Sequence, residues 1–275
     1  INADSEVQTI TKATGCHGLC QRGPLLRIEP EGIFYCDVKI SDVDDIIEKT
    51  IVKGEIIERL LYREESINKK VTSQKDTAFY KGQVKIALRN VGEIDPHSIE
   101  DYIERGGYQA LEKVLTRMTP SEVIDEIEKS GLRGRGGAGF PTGRKWRQCS
   151  RMNNSPKYVI CNGDEGDPGA FMDRCILEGD PHSVIEAMVI AGYAIGSHEG
   201  FMYIRDEYFL AIKNVQNALN QARERGFLGK GILGTGFDFD IQIVRGGGAF
   251  VCGESTALMS SIEGKVGEPR AKYIR

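Results

Sequence analysis

The chain has 275 residues, of which 40% are hydrophobic and 28% charged, and its formal net charge is −4. This length can bury one sizeable core plus a smaller module, and the mildly acidic balance gives no sign of nucleic-acid binding. A run of eighteen apolar residues and a signal peptide are both missing, and the seven cysteines are dispersed, so the sequence favours a cytoplasmic protein without a membrane span. The sequence starts at Ile1 and stops at Arg275 within a predicted loop, and we therefore expect both ends to be cut.

The first 60 residues alternate short apolar runs with a predicted helix from about Ser41 to Lys53. Within them, Cys16 and Cys20 lie between glycines in a C-x-x-x-C arrangement, which suits thiolate ligation of an iron–sulfur centre. A [2Fe-2S] cluster needs four ligands, so this pair supplies half of a site. Residues 61–110 are charged and irregular, which is typical of a linker.

From about Glu100 onward, helical and strand patterns alternate, which predicts an α/β fold with a mainly parallel sheet covered on both faces. One helix is marked at both ends: Thr119 and Glu122 form a capping box, Pro120 takes the first helical position, and Gly131 suits a left-handed C-terminus. We predict helices near residues 100–117, 120–130, 182–196, 207–225 and 254–263, and strands near 157–162, 200–205 and 237–244.

Residues 131–146, GLRGRGGAGFPTGRKW, are the most informative part of the chain. Six glycines leave main-chain amides open to a flat or anionic ligand. The side chains of Arg133, Arg135 and Lys145 suit phosphate groups, and Phe140 suits a planar ring. The stretch therefore predicts a nucleotide-binding loop.

Two standard nucleotide motifs nevertheless fail here. Gly134-x-Gly136-x-x-Gly139 fits the dinucleotide fingerprint, but a predicted helix precedes it where that fingerprint requires a strand. In a P-loop, Lys follows Gly directly and is itself followed by Ser or Thr. Here Arg144 intervenes, and Trp146 occupies the position of the magnesium-binding hydroxyl.

Two further stretches indicate the same chemistry. In KYVICNGDEGDPGAFMDR, residues 157–174, a short apolar strand ends in Asn162, Asp164 and Glu165. Polar groups at the carboxyl end of a buried strand line the ligand crevice of open α/β sheets, and these groups suit the hydroxyls of a ribityl or ribose chain. IVRGGGAFVCGESTALMSSIEG, residues 243–264, repeats the order of strand, glycine run and helix start.

Together the three motifs resemble the family of NADH-binding FMN flavoprotein subunits of respiratory complex I. They resemble most closely its relatives in soluble NAD(P)-linked hydrogenases, formate dehydrogenases and electron-bifurcating complexes. The blocks GLRGRGGAGFPTG and NGDEGDPGAF carry the resemblance, which runs through essentially the whole chain. It implies a Rossmann-like FMN- and NAD(P)-binding α/β domain over residues 111–275. It also implies a partial thioredoxin-like [2Fe-2S] domain over residues 1–60, with residues 61–110 as the linker.

The resemblance further implies a multi-subunit, FMN-dependent NAD(P)H:acceptor oxidoreductase. Hydride would pass between NAD(P)H and FMN, and single electrons between FMN and iron–sulfur clusters. The ligands of a [4Fe-4S] cluster would follow Arg275. Implied partners are a thioredoxin-like [2Fe-2S] subunit, the catalytic subunit of a hydrogenase or formate dehydrogenase, and ferredoxin. Electron bifurcation stays open, and so does a non-catalytic role in electron relay and assembly.

Residue roles also follow from the resemblance. It places Glu165 at the flavin as the catalytic carboxylate and Cys16 and Cys20 at the [2Fe-2S] cluster. The other residues that it places around the flavin are Gly134, Arg135, Gly136, Gly137, Lys145, Asn162, Asp164, Gly253 and Glu254. Those that it places at the pyridine nucleotide are Phe140, Asp167, Ser255 and Lys272.

Two of these positions depart from the complex I pattern. Asp167 replaces a Glu and keeps its charge, whereas Ser255 replaces the second Glu of the usual GEETA and removes a charge. A carboxylate there would suit ribose hydroxyls and repel the 2′-phosphate of NADP. The choice between NAD and NADP therefore stays open. Ser255 also has a simpler alternative role as the N-cap of the helix that begins there.

Overall fold

The structure, a computed structural model, describes residues 7–64 and 68–271. The chain forms two compact units, Ile1–Arg89 and Asn90–Arg275. The sequence pattern instead suggests a linker over residues 61–110. In the structure, residues 61–89 belong to the first unit, where they form two strands and a short helix. The identity of the first unit as a partial thioredoxin-like [2Fe-2S] domain stays a prediction.

The first unit contains two antiparallel hairpins and a helical segment close to the predicted position. Strand β1 pairs with β2, and β3 pairs with β4. The helical segment begins as an α-helix and continues as a π-helix. The bounds are β1 (Leu26–Ile28), β2 (Ile33–Tyr35), α1 (Val43–Asp45), the π-helix (Ile46–Val52), β3 (Tyr62–Glu64), β4 (Lys69–Val71) and α2 (Ala78–Lys81).

Tyr35 is the polar centre of an otherwise apolar core in this unit. Its side chain is fully buried. Its hydroxyl lies 2.8 Å from Thr50 Oγ1 and accepts a hydrogen bond from the Ile57 N–H at 2.9 Å. An unpaired hydroxyl at such a position would cost about 1–3 kcal/mol. The phenol therefore ties the hairpin β1–β2 to the helical segment.

The second unit has the predicted α/β architecture, with a three-stranded parallel sheet in the order β5-β6-β7. Its strands are β5 (Tyr158–Gly163), β6 (Glu199–Arg205) and β7 (Asp240–Gly246). Its helices are α3 (Ile99–Glu104), α4 (Gln109–Arg117), α5 (Pro120–Ser130), α6 (Thr142–Ser150), α7 (Met172–Gly179), α8 (Pro181–Ile195), α9 (Phe209–Glu224) and α10 (Ser255–Ile262).

Helices cover both faces of this sheet, as the alternating pattern predicts. Met202 and Ile204 of β6 are fully buried on the face that packs against α8 and α9. Tyr203, between them, lies on the opposite face with Leu258 of α10. Burial on both faces explains why the central strand β6 contains a continuous apolar run over residues 201–204. No helix within the described ranges is both long and apolar enough to cross a membrane.

The structure corrects the sequence prediction at three helices. The single helix predicted over residues 100–117 is two helices, α3 and α4, because Gly106 and Tyr108 between them have positive φ. The main chain also passes so close to the ring of Tyr102 that a Cβ on Gly107 would overlap it. Helices α6 and α7 are absent from the prediction. Glu128 of α5 accepts hydrogen bonds from α6, and Glu165 accepts hydrogen bonds from the first N–H groups of α7.

Candidate functional site

The loops after β5 and β7 meet at the carboxyl edge of the sheet. Asn162 Nδ2 donates a hydrogen bond to the Gly253 carbonyl at 2.9 Å, and Asn162 Oδ1 accepts one from the Asp164 N–H at 3.1 Å. A Cβ on Gly253 would lie 3.3 Å from Asp164 Oδ2. The loops after β5 and β7 thus contact each other through Asn162, Asp164 and Gly253. Asn162 and Gly253 are 91 residues apart in sequence.

Asp164 carries a buried carboxylate that lacks a hydrogen-bond partner in the part of the chain that the structure describes. Both of its oxygens are shielded from solvent, and neither accepts a hydrogen bond from any residue that the structure describes. Burial raises the pKa of this carboxyl, the nearby Arg205 guanidinium lowers it, and Glu207 raises it. Because buried polar groups are nearly always hydrogen-bonded, two free acceptor oxygens at the edge of a parallel sheet indicate a ligand with donor groups.

Glu165, the expected catalytic carboxylate, caps helix α7. Its Oε1 accepts hydrogen bonds from the Met172 N–H at 2.8 Å and the Asp173 N–H at 3.2 Å, and Oε2 accepts one from the Arg174 N–H at 3.3 Å. A negative charge at a helix N-terminus is favourable, because the first N–H groups lack partners within the helix. The catalytic role of Glu165 stays a prediction.

Glu254 has the same relation to helix α10. Its Oε2 accepts hydrogen bonds from the Thr256 N–H at 2.7 Å and the Ala257 N–H at 3.0 Å, which makes Glu254 the N-cap. The alternative interpretation of Ser255 as the N-cap is therefore wrong: Ser255 is the first residue of the helix. Its side chain is exposed, and its hydroxyl donates a hydrogen bond to Glu254 Oε1 at 3.2 Å.

The glycine-rich loop is an exposed hairpin whose tip is open. The Gly134 N–H donates a hydrogen bond to the Phe140 carbonyl at 2.9 Å, which closes the base of the loop. A Cβ on Gly136 or Gly137 would have no neighbour within 4 Å among residues 7–64 and 68–271, and Gly137 has φ +96°. The side chain of Arg135 is exposed. The tip therefore has space on its surface for a planar ligand.

Cations flank the aromatic residue of this loop. Lys145 Nζ and the guanidinium carbon of Arg144 each lie 5.8 Å from the centre of the Phe140 ring. Both belong to α6, which Arg147 fastens to α5 by donating two hydrogen bonds to the Glu128 carboxylate, at 2.9 and 2.7 Å. The structure thus brings together Lys145, which the resemblance assigns to the flavin, and Phe140, which it assigns to the pyridine nucleotide.

Asp167 and Lys272 are the two remaining residues that the resemblance places at the pyridine nucleotide. Asp167 is exposed in the loop after β5, where its carbonyl accepts a hydrogen bond from the Ala170 N–H at 3.1 Å. Lys272 lies outside the described residues.

In the first unit, the two cysteines of the C-x-x-x-C motif lie side by side. Their sulfur atoms are 3.8 Å apart, and the Gly18 N–H points to Cys16 Sγ at 3.3 Å. Two thiolates on one tetrahedral metal with bonds of about 2.3 Å would be about 3.8 Å apart, so the Cys16–Cys20 pair has suitable geometry. Among the described residues, no group of three or more possible ligands is found.

Sequence reasoning missed Arg205, which lies next to the site at the end of β6. Its Nη1 donates a hydrogen bond to the Glu165 carbonyl at 2.5 Å, and its Nη2 pairs with Glu207. A sequence signal was present, because Arg205 is a polar residue at the carboxyl end of β6, and the same strand-end rule identified Asp164 after β5.

Residues 127–274, more than half of the chain, match the family described as the Nuo51 FMN-binding domain. The chain belongs to this family. The Nuo51 match begins within α5 and includes all three glycine-containing loops.

Individual relatives agree with this assignment. The chain is 61% identical over 196 residues to the NADP-reducing hydrogenase subunit HndC of Solidesulfovibrio fructosivorans, covering 71% of this chain and 40% of that protein. It is 55% identical over 176 residues to a subunit of the NADH-quinone oxidoreductase of Aquifex aeolicus, covering 64% of this chain and 41% of that protein. A crystal structure of NAD+-reducing [NiFe]-hydrogenase in the H2-reduced state covers 94% of this chain and 40% of that chain, with a TM-score of 0.56 and 28% identity. The chain thus spans about 40% of the length of these relatives.

Proposed function

We propose that this chain is the FMN- and NAD(P)-binding part of an oxidoreductase subunit. The subunit oxidises NAD(P)H, or reduces NAD(P), and passes electrons one at a time to the iron–sulfur clusters of a multi-subunit complex. The observation that carries the proposal is the buried carboxylate of Asp164, which has no hydrogen-bond partner among the described residues and lies between two glycine-containing loops of a Nuo51 FMN-binding domain. The names of relatives that reduce NADP or NAD+, or that oxidise NADH with quinone, support it.

The residues present fit FMN. Ribityl hydroxyls are suitable donors to the two free oxygens of Asp164, and Asn162 holds that loop in place. The open surface at Gly136 allows an isoalloxazine ring to approach the main chain. Lys145 supplies positive charge beside the same loop. When bound, FMN supplies the exchange between two-electron hydride chemistry and one-electron transfer.

The pyridine nucleotide would bind at the solvent-exposed surface of the same site. Phe140 offers an aromatic face for stacking. Asp167 is exposed in the loop after β5, and Ser255 is exposed at the start of α10. Because Ser255 places no charge where the family usually has a second carboxylate, we include NADP among the substrates. The NADP-reducing relative with 61% identity supports this choice.

The proposal extends to clusters and partners. Cys16 and Cys20 would hold one side of a [2Fe-2S] cluster, with two further ligands from outside the described residues. A [4Fe-4S] cluster would be bound by residues after Arg275. Partners would be other iron–sulfur subunits and a hydrogenase or formate dehydrogenase catalytic subunit in the cytoplasm, with ferredoxin as an additional acceptor if electrons bifurcate.

The test is anaerobic titration of the full-length, FMN-reconstituted protein with NADH and, separately, with NADPH. We expect one FMN per chain, and an absorbance band that bleaches with at least one of the two nucleotides. Bound FMN that neither nucleotide bleaches would instead indicate a relay and assembly subunit. Failure to bind FMN would overturn the proposal.

A further inference from the structure

Arg205 is the last residue of the central strand β6, and its guanidinium reaches across to the neighbouring loop. Nη1 donates a hydrogen bond to the main-chain carbonyl of Glu165 at 2.5 Å, and Nη2 forms an ion pair with Glu207. The Arg205 side chain is only 17% exposed. One positively charged group therefore contacts both the loop after β5 and the residues after β6.

Glu207 extends this contact to the third loop. A Cβ on Gly248 would lie 3.4 Å from Glu207 Oε2, so the carboxylate lies beside the glycine run after β7. The adjacent Asp206 N–H donates a hydrogen bond to the Gly246 carbonyl at 2.9 Å. The Arg205–Glu207 pair thus lies between the loops that follow β5 and β7: it is hydrogen-bonded to the first and lies beside the glycine run of the second.

Arg205 also acts on the carboxylate at the centre of the site. Its charge lowers the pKa of Asp164 against the effects of burial and of Glu207, and the Tyr203 phenol, also on β6, interacts with the same carboxylate. The Tyr208 hydroxyl donates a second, longer hydrogen bond to the Glu165 carbonyl at 3.4 Å. The Arg205 guanidinium therefore both donates a hydrogen bond to the Glu165 carbonyl and stabilises the charged form of Asp164.

We propose that Arg205 is a positioning residue of the flavin site. Together with Glu207 it fixes the separation of the loops after β5 and β7, and it holds Asp164 ready to accept hydrogen bonds from the ligand. This inference rests on the FMN site proposed above. Without Arg205, the Glu165 carbonyl loses its stronger donor and the Asp164 carboxylate loses its neighbouring positive charge.

The test uses the full-length protein and measures FMN affinity by flavin fluorescence between pH 5 and 8. We expect Arg205→Met to weaken FMN binding by about tenfold or more, because a charge-assisted hydrogen bond is lost. We also expect the pH below which affinity falls to move upward, because Asp164 then protonates more readily. Arg205→Lys, which keeps the charge, should preserve the pH profile and lose part of the affinity. A role in packing alone would not move the pH profile.

Arg245→Met is the matched control. Arg245 lies at the end of β7 and pairs with Asp206 at 2.5 Å, but its side chain is 54% exposed. Its variant should bind FMN as the wild type does. If Arg205→Met fails to fold, Arg205→Lys and Glu207→Gln replace it, and unchanged affinity and pH profile in both would overturn the inference. Wild-type protein that binds no FMN would overturn the proposed function itself, whereas equal binding by wild type and Arg205→Met would overturn only the role of Arg205.

Discussion

Gly136 lies in the part of the glycine-rich loop where the protein itself leaves room for a side chain. A Cβ there would have no neighbour within 4 Å among the residues that the structure describes, so a valine disturbs little until a ligand arrives. We expect Gly136→Val to change the free energy of unfolding of the apoprotein by less than about 0.5 kcal/mol. It should nevertheless abolish FMN binding, because the side chain occupies the path of the ring to the main chain.

Flavin content after reconstitution and urea unfolding of the apoprotein measure these two expectations. Gly236→Val is the control, because Gly236 is also exposed, also has open space at its Cβ, and lies in the loop that leads into β7. It should keep its flavin. Normal flavin occupancy in Gly136→Val would remove the loop tip from the site.

Ser255 governs the choice of nucleotide in our proposal. A carboxylate at this position would repel the 2′-phosphate of NADP by roughly 4 kcal/mol at 4 Å and an effective dielectric of about 20. Since Ser255 is exposed, solvent reduces this energy, and we expect Ser255→Glu to lower the NADP/NAD ratio of kcat/KM by about tenfold to a hundredfold. Ser255→Ala is the control, because it adds no charge. An unchanged ratio in Ser255→Glu would show that other residues decide the specificity.

At the scale of secondary-structure elements, Glu165 links helix α7 to the site. Its carboxylate accepts hydrogen bonds from three N–H groups at the start of α7, so Glu165→Gln should lower the free energy of unfolding of the apoprotein by about 1 kcal/mol. If Glu165 also lies beside the flavin, the lost negative charge should raise the flavin midpoint potential, because repulsion of the reduced flavin is removed.

Urea unfolding without flavin and a redox titration with flavin separate the two effects of Glu165→Gln. Glu122→Gln, in the capping box of α5, should lower stability without moving the potential. A shift in stability alone would leave Glu165 as a helix cap and would exclude it as the catalytic carboxylate.

The sequence predicts those helices whose capping residues lie within or directly beside the helical segment. Helix α5 begins and ends at the predicted residues, because Thr119, Glu122 and Gly131 supply its caps within the segment itself. Helix α7 has no such signal, since Glu165 caps it from seven residues before its first turn. Helix α6 depends on another helix: a Cβ on Gly143 would lie 2.5 Å from Glu128 Cγ of α5, a contact that no local pattern reveals.

The same distinction applies to the candidate site. Asn162 and Asp164 could be found because polar residues at the end of an apolar strand are visible in the sequence. The cap formed by Glu254 and the bond from Arg205 to the Glu165 carbonyl depend on how chain segments meet in space. The resemblance to a family placed Asn162, Asp164 and Glu254 at the flavin, but it indicated neither the cap formed by Glu254 nor the role of Arg205.

At the scale of the whole molecule, the second unit contains a buried polar cluster between its helices. Glu186 of α8 accepts hydrogen bonds from the Tyr102 hydroxyl at 2.5 Å and from the N–H groups of Tyr108 and Leu111 at 2.9 and 3.0 Å. His182, one turn earlier on α8, lies with Nδ1 2.8 Å from the Tyr108 hydroxyl. Because buried ionisable groups resist a change of charge, this cluster makes the stability of the unit depend on pH.

His182 gives that dependence a definite sign. Burial lowers its pKa from the ordinary 6.5 to about 4. The unfolded chain therefore binds a proton at higher pH than the native protein does, so the stabilising contribution is complete above pH 6.5 and is lost as the pH falls toward 4. For one such group, the free energy of unfolding should be about 2 kcal/mol lower at pH 5 than at pH 7.5.

Urea unfolding at pH 7.5 and pH 5 measures this loss in the wild type and in two variants. His182→Gln has no imidazole to titrate and keeps an amide that can bond to Tyr108, so its stability should fall by about 2 kcal/mol less than that of the wild type. His198→Gln removes an exposed imidazole and should behave as the wild type does. Equal losses in the wild type and in His182→Gln would show that other groups set the acid sensitivity of the fold.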